Sequence, residues 1–325
     1  MYNDFREYVW DVANNCHTVF AGRDKGSELP VIISTWQSIY KMQQKYFEQY
    51  ELVIGDEAHG FKSKSLTSIM TKCINAKYRI GTTGTLDGTQ THKLVLEGLF
   101  GKVYKVTSTK TLIDQKHLSP FQINALVLKH PDSICFNLKN ISYQEELEYL
   151  IASEARNNYI VNLTLGMRGN SLLLFRFVEK HGQLLYDMIR ENTDGKRKIF
   201  FVHGGTDTDT RESIRHTVES ERDAIIVASY GVFSVGVNIR NLSNIVFASP
   251  SKSRIRNLQS IGRGLRKSNF KKMATLYDVA DNLKHKEKKN YTLEHYEERV
   301  RIYKEERLSL IHISEPTRQA EISYA

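Results

Sequence analysis

Asp56 and Glu57 stand side by side after the apolar run Leu52-Val53-Ile54-Gly55, and roughly two hundred residues later Arg263 and Arg266 stand three positions apart. A carboxylate at the end of a buried parallel strand can hold a hard, water-rich cation, so Asp56 is the candidate Mg2+ residue, directly or through water. Glu57 is placed to orient and polarise an attacking water as a general base. Two arginines three positions apart share one helix face, so Arg263 and Arg266 can both meet the charge spread over a transferring phosphoryl group. Gln259, one turn earlier on that face, is expected to help position the γ-phosphate or the water. The chemistry this set fits is Mg2+-dependent hydrolysis of a nucleoside triphosphate held by one layer and completed by arginines from another. A basic surface helix, or one that touches DNA, is the plainer alternative for the arginines.

Such groups need rigid strand ends and helices to hold them. Short apolar runs alternate with longer segments of helical period, the pattern of parallel α/β layers. The first series predicts strands at Val31 to Thr35, Leu52 to Gly55 and Tyr78 to Thr82, with helices near Gln37 to Glu48 and Lys64 to Ile74. After Ser119-Pro120 a second series predicts strands at Leu172 to Phe177, Ile199 to Val202, Ala224 to Ala228 and Ile245 to Ala248. Its helices are predicted near Tyr143 to Leu165, Val178 to Glu191, Asp209 to Glu221 and Arg254 to Leu265. Beyond Asp281 the lysines Lys284, Lys286, Lys288 and Lys289 crowd together, either as a solvated linker or as an arm that contacts phosphates. Leu293, Tyr296, Val300 and Tyr303 then recur at helical spacing, which predicts a terminal helix docked by one face.

At 325 residues the chain should hold two domains, at about 150 residues each. Its formal charge of +9, from 46 Lys and Arg against 37 Asp and Glu, favours a polyanionic partner, because cationic side chains release counterions when they neutralise phosphates. Cys16, Cys73 and Cys135 are odd in number and widely spaced, which suits free thiols in a reducing compartment. No long apolar run suggests a membrane span, and the acidic residues and Trp10 near the amino terminus do not read as a secretory signal. A cytoplasmic protein is expected.

Four segments, Asp56-Glu57-Ala58-His59, Thr83-Gly84-Thr85, Val227-Ala228-Ser229 through Gly236, and Gln259 through Arg266, resemble motifs II, III, V and VI of superfamily 2 helicases and translocases in order and spacing. The resemblance runs from about Val31 to Asp281. It implies an α/β fold of two tandem RecA-like parallel-sheet domains, with ATP and Mg2+ in their cleft and DNA, branched or single-stranded, as partner. Recombination or replication proteins would be further partners, and a phage-encoded member would work in the host bacterial cytoplasm. By the same resemblance His59 couples the nucleotide site to the facing domain, although a lone histidine after a strand more often serves packing. Thr83 and Thr85 offer uncharged hydroxyls for a relay between nucleotide and nucleic acid, or form a plain turn. Gly236 allows close backbone approach, and Asn238 stands where many relatives carry Asp. Ser34, Thr35, Trp36 and Gln37 resemble a nucleic-acid-contacting motif at a strand end, with a core position as the alternative for Trp36. Ser229 is a further candidate for a phosphate contact.

Two features depart from the family pattern. The chain contains no Gly-x-x-x-x-Gly-Lys-Ser/Thr, the loop that cradles phosphates, which the family carries upstream of Ser34. The first sheet is therefore expected to be incomplete. At the other end, Leu308 through Arg318 and Ile322 through Ala325 resemble a translated sequencing adapter, with a natural amphipathic tail as the alternative. The expected organisation is a partial first helicase domain over 1–118, a second over 119–282, a basic linker and terminal helix over 283–307, and read-through over 308–325. The function implied is that of the carboxy-terminal portion of an ATP-dependent DNA helicase that unwinds or branch-migrates recombination or replication intermediates. A double-stranded DNA translocase without strand separation is the nearest alternative, and a non-catalytic nucleic-acid-binding module is the alternative of another class.

Overall fold

A computed structural model describes residues 2–316 apart from 21–23, 85, 87–88, 194, 196, 236–238, 250–252, 254–257, 263–264 and 269–270. The chain divides into two units, Met1–Tyr104 and Lys105–Ala325.

In the first unit β1 (Cys16–Val19) pairs in parallel with β2 (Val31–Ser34), and β3 (Leu52–Gly55) pairs in parallel with β4 (Tyr78–Gly81). Among the described residues these pairs form separate two-stranded sheets, not the single layer expected. Side chains alternate across β3: Val53 turns inward to the clusters around Phe47, Ile69 and Cys73 and around Phe61, Met70 and Leu96, while Leu52 and Ile54 point outward about half exposed. The helices Lys64–Lys72 and Gln90–Phe100 cover the inward side. The helix expected over Gln37 to Glu48 forms only as two single turns, Trp36–Ile39 and Gln44–Phe47.

The second unit is built on β5 (Phe121–Lys129), β6 (Ser171–Phe175), β7 (Ile199–Val202), β8 (Ile225–Ser229), β9 (Asn244–Phe247), β10 (Ala274–Asn282) and β11 (Ser309–Pro316), in the order β11-β5-β10-β9-β6-β8-β7. All neighbours are parallel. β6, β8 and β9 are buried along their whole length, because both faces are covered by helices and loops. One core face gathers Leu172, Leu174, Ile226 and Ile245, and the other gathers Leu173, Phe175, Val227 and Val246, as the two-residue period of a strand requires.

The division between units falls ahead of the expected boundary at residue 118. Ile113 and Leu118 pack against the second core, and Ser119 N–H donates to the Leu265 carbonyl at 2.8 Å, so the helix Thr109–Asp114 belongs to the second unit. The long helix expected over Tyr143 to Leu165 breaks at Ser153, whose ψ of 109° leaves the helical region, into Tyr143–Ala152 and Glu154–Gly166. Asn157 Nδ2 donates to the Ile151 carbonyl at 2.9 Å and satisfies the end of the first piece.

The terminal helix, Tyr291–Glu305, docks on β10 by the predicted face, burying Leu293, Tyr296 and Tyr303. Its first amides would be orphaned in a buried start, and Glu146 of a distant helix accepts from Tyr291 N–H at 2.9 Å and Thr292 N–H at 2.8 Å. Arg299 forks onto both carboxylate oxygens of Asp278 of β10, and Oδ2 also accepts from the Tyr303 hydroxyl at 2.7 Å. The segment expected to be read-through folds over its first part as the edge strand β11, with Ser309 opposite Gln122, and His312 Nδ1 lies 2.7 Å from the Tyr296 hydroxyl. An open sheet edge offers unpaired backbone groups to any β-competent segment, so this pairing follows from backbone chemistry whatever the origin of the residues.

Candidate nucleotide-hydrolysis site

The turn that carries Asp56 and Glu57 is set by two glycines. A Cβ on Gly55 would lie 2.8 Å from Phe61, and one on Gly81 would lie 3.0 Å from Ala58 and from Phe100. Phe61 and Phe100 meet edge to face at 5.0 Å directly beneath, so only glycine lets β3 and β4 close over them. Beyond the strands the pairing continues for one step, with Thr82 N–H donating to the Gly55 carbonyl and Ala58 N–H to the Thr82 carbonyl, each at 2.9 Å.

On this platform Asp56 Oδ1 accepts from Glu57 N–H at 2.9 Å and from the Thr82 hydroxyl at 3.3 Å. Oδ2 keeps no protein partner among the described residues. That donor set suits Mg2+, which takes one or two carboxylates together with waters and phosphate oxygens and needs no all-protein cage. Among the described residues no group of three or more His, Cys, Asp or Glu side chains is gathered as a cage. Glu57 is held at φ 49°, ψ 49°, the left-handed region that a side chain rarely adopts, at a strain of roughly 1 kcal/mol. This turns its carboxylate outward, 58 % exposed, while the His59 side chain is tucked in at 16 %. His59 Nδ1 lies 3.2 Å from Glu57 Oε2 and 3.0 Å from the Thr83 hydroxyl, and His92 Nε2 lies 2.9 Å from the His59 carbonyl. The structure therefore brings Asp56, Glu57, His59 and Thr83 together. Thr82 and His92 join them without having been singled out from sequence.

Ser34, Thr35, Trp36 and Gln37 follow the end of β2 in the same unit. Thr35 N–H extends the β1 pairing to the Val19 carbonyl at 3.3 Å, and Ser34 Oγ donates to the same carbonyl at 3.2 Å. Trp36 is 40 % exposed and meets Tyr40 edge to face at 5.7 Å, so it is not a core residue. Thr35 and Gln37 are exposed.

Gln259 and Arg266 belong to the second unit. Gln259 is half-buried in a helix over 258–262, and Ile261 and Leu265 seat that segment in the core. Ser119 Oγ donates to the Arg266 carbonyl at 3.1 Å. Ser229, at the end of β8, is buried at 8 % exposure. Thr85, Gly236, Asn238 and Arg263 lie outside the described residues.

A buried polar network holds Ala248 and Ser249, just past the end of β9. Arg156 places Nε 2.9 Å from Asp281 Oδ2 and donates through Nη2 to the Ala248 carbonyl at 2.9 Å, while His130 Nε2 reaches Asp281 Oδ1 at 3.0 Å. Burial alone would raise the Asp281 pKa, but the charge of Arg156 and the bond to His130 hold it below the usual carboxylate range. Next to it His181 contacts Ser249 Oγ at 3.1 Å and Asn157 Oδ1 at 3.2 Å. Its pKa is pushed down to about 3, first by burial and then by Arg156, so it is neutral near pH 7. Tyr230 Oη donates to the Ser249 carbonyl at 3.2 Å, and Arg176 N–H donates to Ser249 Oγ at 3.1 Å.

The structure thus has two α/β units, one with paired carboxylates on a strained strand-end turn and the other with Gln259 on a short helix and Arg266 just beyond it. The chain is similar to superfamily 2 helicases: residues 155–268 match the helicase conserved C-terminal domain, and residues 1–88 match the res subunit of type III restriction enzymes. It is 32 % identical over 298 residues to the ATP-dependent DNA helicase uvsW of Enterobacteria phage T4, over 88 % of this chain and 59 % of that protein. The crystal structure of T4 UvsW matches with a TM-score of 0.53 at 29 % identity, covering 97 % of this chain and 65 % of that one. The DNA-bound type ISP restriction-modification enzyme LlaBIII shares the fold, with a TM-score of 0.61 at 15 % identity over 88 % of this chain and 24 % of that one. The chain spans about three-fifths of the length of the T4 helicase.

Proposed function

We propose that this chain is the carboxy-terminal portion of an ATP-dependent DNA helicase that unwinds or branch-migrates recombination or replication intermediates. The observation that carries the reading is the Asp56-Glu57-His59-Thr83 cluster, in which hydrolytic carboxylates are wired to a threonine two residues past a strand end. Mg2+ bound with ATP would neutralise charge on the phosphates. Asp56 offers it Oδ2, and Glu57 orients and deprotonates the attacking water. Arg263 and Arg266 would supply positive charge to the transferring phosphoryl group. One Nδ1 proton on His59 can be shared between Glu57 and Thr83, so loss or movement of the Thr83 hydroxyl shifts the base that handles water. Trp36 offers a face for stacking a base, and Ser34, Thr35 and Gln37 offer uncharged donors for the backbone. Among the described residues no helix is long and apolar enough to cross a membrane; the proposed place of work is the cytoplasm, that of the bacterial host if the chain is phage-encoded.

The test is a comparison of substrates with a protein in which this chain is joined to a phosphate-binding loop ahead of its first residue. ATP-dependent movement of a four-way junction, or displacement of an annealed strand, supports the helicase reading. Translocation on duplex without either product would assign it to the translocases that do not separate strands.

A further inference from the structure

The second unit holds a cleft of about 480 Å³ whose walls are lysines. Lys116 comes from the turn after the helix Thr109–Asp114, and Lys267, Lys271 and Lys272 come from the segment between Arg266 and β10, with Ile113 and Leu118 as an apolar floor. The cleft adjoins the amino ends of β5 and β10. All strands of this sheet are parallel, so it lies at the edge opposite Ser229, which ends β8. No carboxylate is among the residues that line it.

Four amines in one cleft repel one another, and two of them are held there against local cost. Lys116 has φ 60°, a conformation that glycine or asparagine adopts more readily, at a strain of roughly 1 kcal/mol. It is fixed so by the end of its helix, where Lys116 N–H donates to the Ile113 carbonyl at 2.9 Å and His117 N–H to the Leu112 carbonyl at 2.8 Å. Lys271 is only 8 % exposed, with Nζ donating to the Arg240 carbonyl at 3.1 Å. Burial pushes its pKa down to about 8, so near pH 7 it stays mostly charged, and an anion in the cleft would raise the pKa again. Ammonium groups on flexible stems bind phosphate as point charges, and the apolar floor suits a sugar or base beside them.

We propose that this cleft is a phosphate-binding site, outside the residues assigned to hydrolysis, that takes either the backbone of single-stranded DNA or a free polyphosphate. The inference does not rest on the helicase reading, because its assays contain no ATP.

The 325-residue chain is titrated with a fluorescent oligothymidylate at several salt concentrations, and its melting temperature is measured with and without inorganic tripolyphosphate. In Lys116→Ala/Lys272→Ala, both exposed positions, the slope of log affinity against log salt should fall by about 1.4, at roughly 0.7 for each lost contact with a single strand. Lys116→Arg/Lys272→Arg should restore it. A same-charge control in the first unit, Lys45→Ala/Lys64→Ala, should leave the slope closer to that of the unaltered chain. A fall in slope assigns the site to DNA. An unchanged slope with loss of the thermal shift produced by tripolyphosphate assigns it to free polyphosphate. If neither changes, or if the control lowers the slope equally with no change in the thermal shift, the cleft is not a phosphate site.

Discussion

Acidification from pH 7 to pH 5 should weaken the second unit through one side chain, His181. In the folded chain burial, with the charge of Arg156, holds its pKa at about 3, against an ordinary value of 6.5. Between those values the unfolded chain binds a proton that the folded chain refuses, so stability falls as the pH drops below 6.5. A single such group contributes about 1.4 kcal/mol for each pH unit, or about 2 kcal/mol between pH 7 and pH 5. Asp281 is shifted in the same direction, but its contribution is lost only as the pH falls below the ordinary carboxylate value, outside this window. The assay is urea unfolding followed by far-UV ellipticity, because both tryptophans, Trp10 and Trp36, lie in the first unit and would report that unit instead. His181→Asn, which can still bond Ser249 and Asn157, should flatten the dependence even if it lowers stability at every pH. A variant with the full slope of the unaltered chain would refute the assignment.

Asp281→Ala leaves Arg156 buried without its counter-charge and should cost about 3–5 kcal/mol, read as a lower urea midpoint, whereas replacing both partners with apolar residues should cost far less. Gly55→Ala drives a Cβ against Phe61 and should destabilise the first unit by about 1–3 kcal/mol, measured through Trp36 fluorescence. Truncation after Arg307 removes β11 and the partner of Tyr296, and should lower the melting temperature by a few degrees, at about 2–4 °C for each kcal/mol in a unit of this size, while DNA affinity stays unchanged.

The strands that sequence made legible are those whose burial is paid in apolar residues alone. β6 reads Ser-Leu-Leu-Leu-Phe and β8 reads Ile-Ile-Val-Ala-Ser, continuous runs that a two-sided core demands. β10 is an interior strand of the same sheet that sequence does not reveal, because Asp278 and Asp281 interrupt its apolar pattern. Their partners, Arg299, Tyr303, Arg156 and His130, stand far away in sequence, and only the fold brings them to the strand. The site divides in the same way. Asp56, Glu57 and His59 announce themselves by type and spacing, and Thr83 by its place after a strand. Thr82, which reaches Asp56 across the sheet, and Gly55 and Gly81, which admit the two phenylalanines beneath, become visible only when β3 and β4 are paired. The single helix expected over Tyr143 to Leu165 fails for a local reason, since periodicity carries straight through Ser153 while the backbone does not.

Steady-state phosphate release with Mg-ATP and saturating DNA tests the central claim most directly. It is measured on a protein in which this chain is joined to a phosphate-binding loop ahead of its first residue, with and without Glu57→Gln. The account predicts DNA-stimulated release that Glu57→Gln abolishes while nucleotide and DNA binding persist, because that carboxylate handles water and does not hold the phosphates. Turnover near the unaltered rate in Glu57→Gln would contradict it.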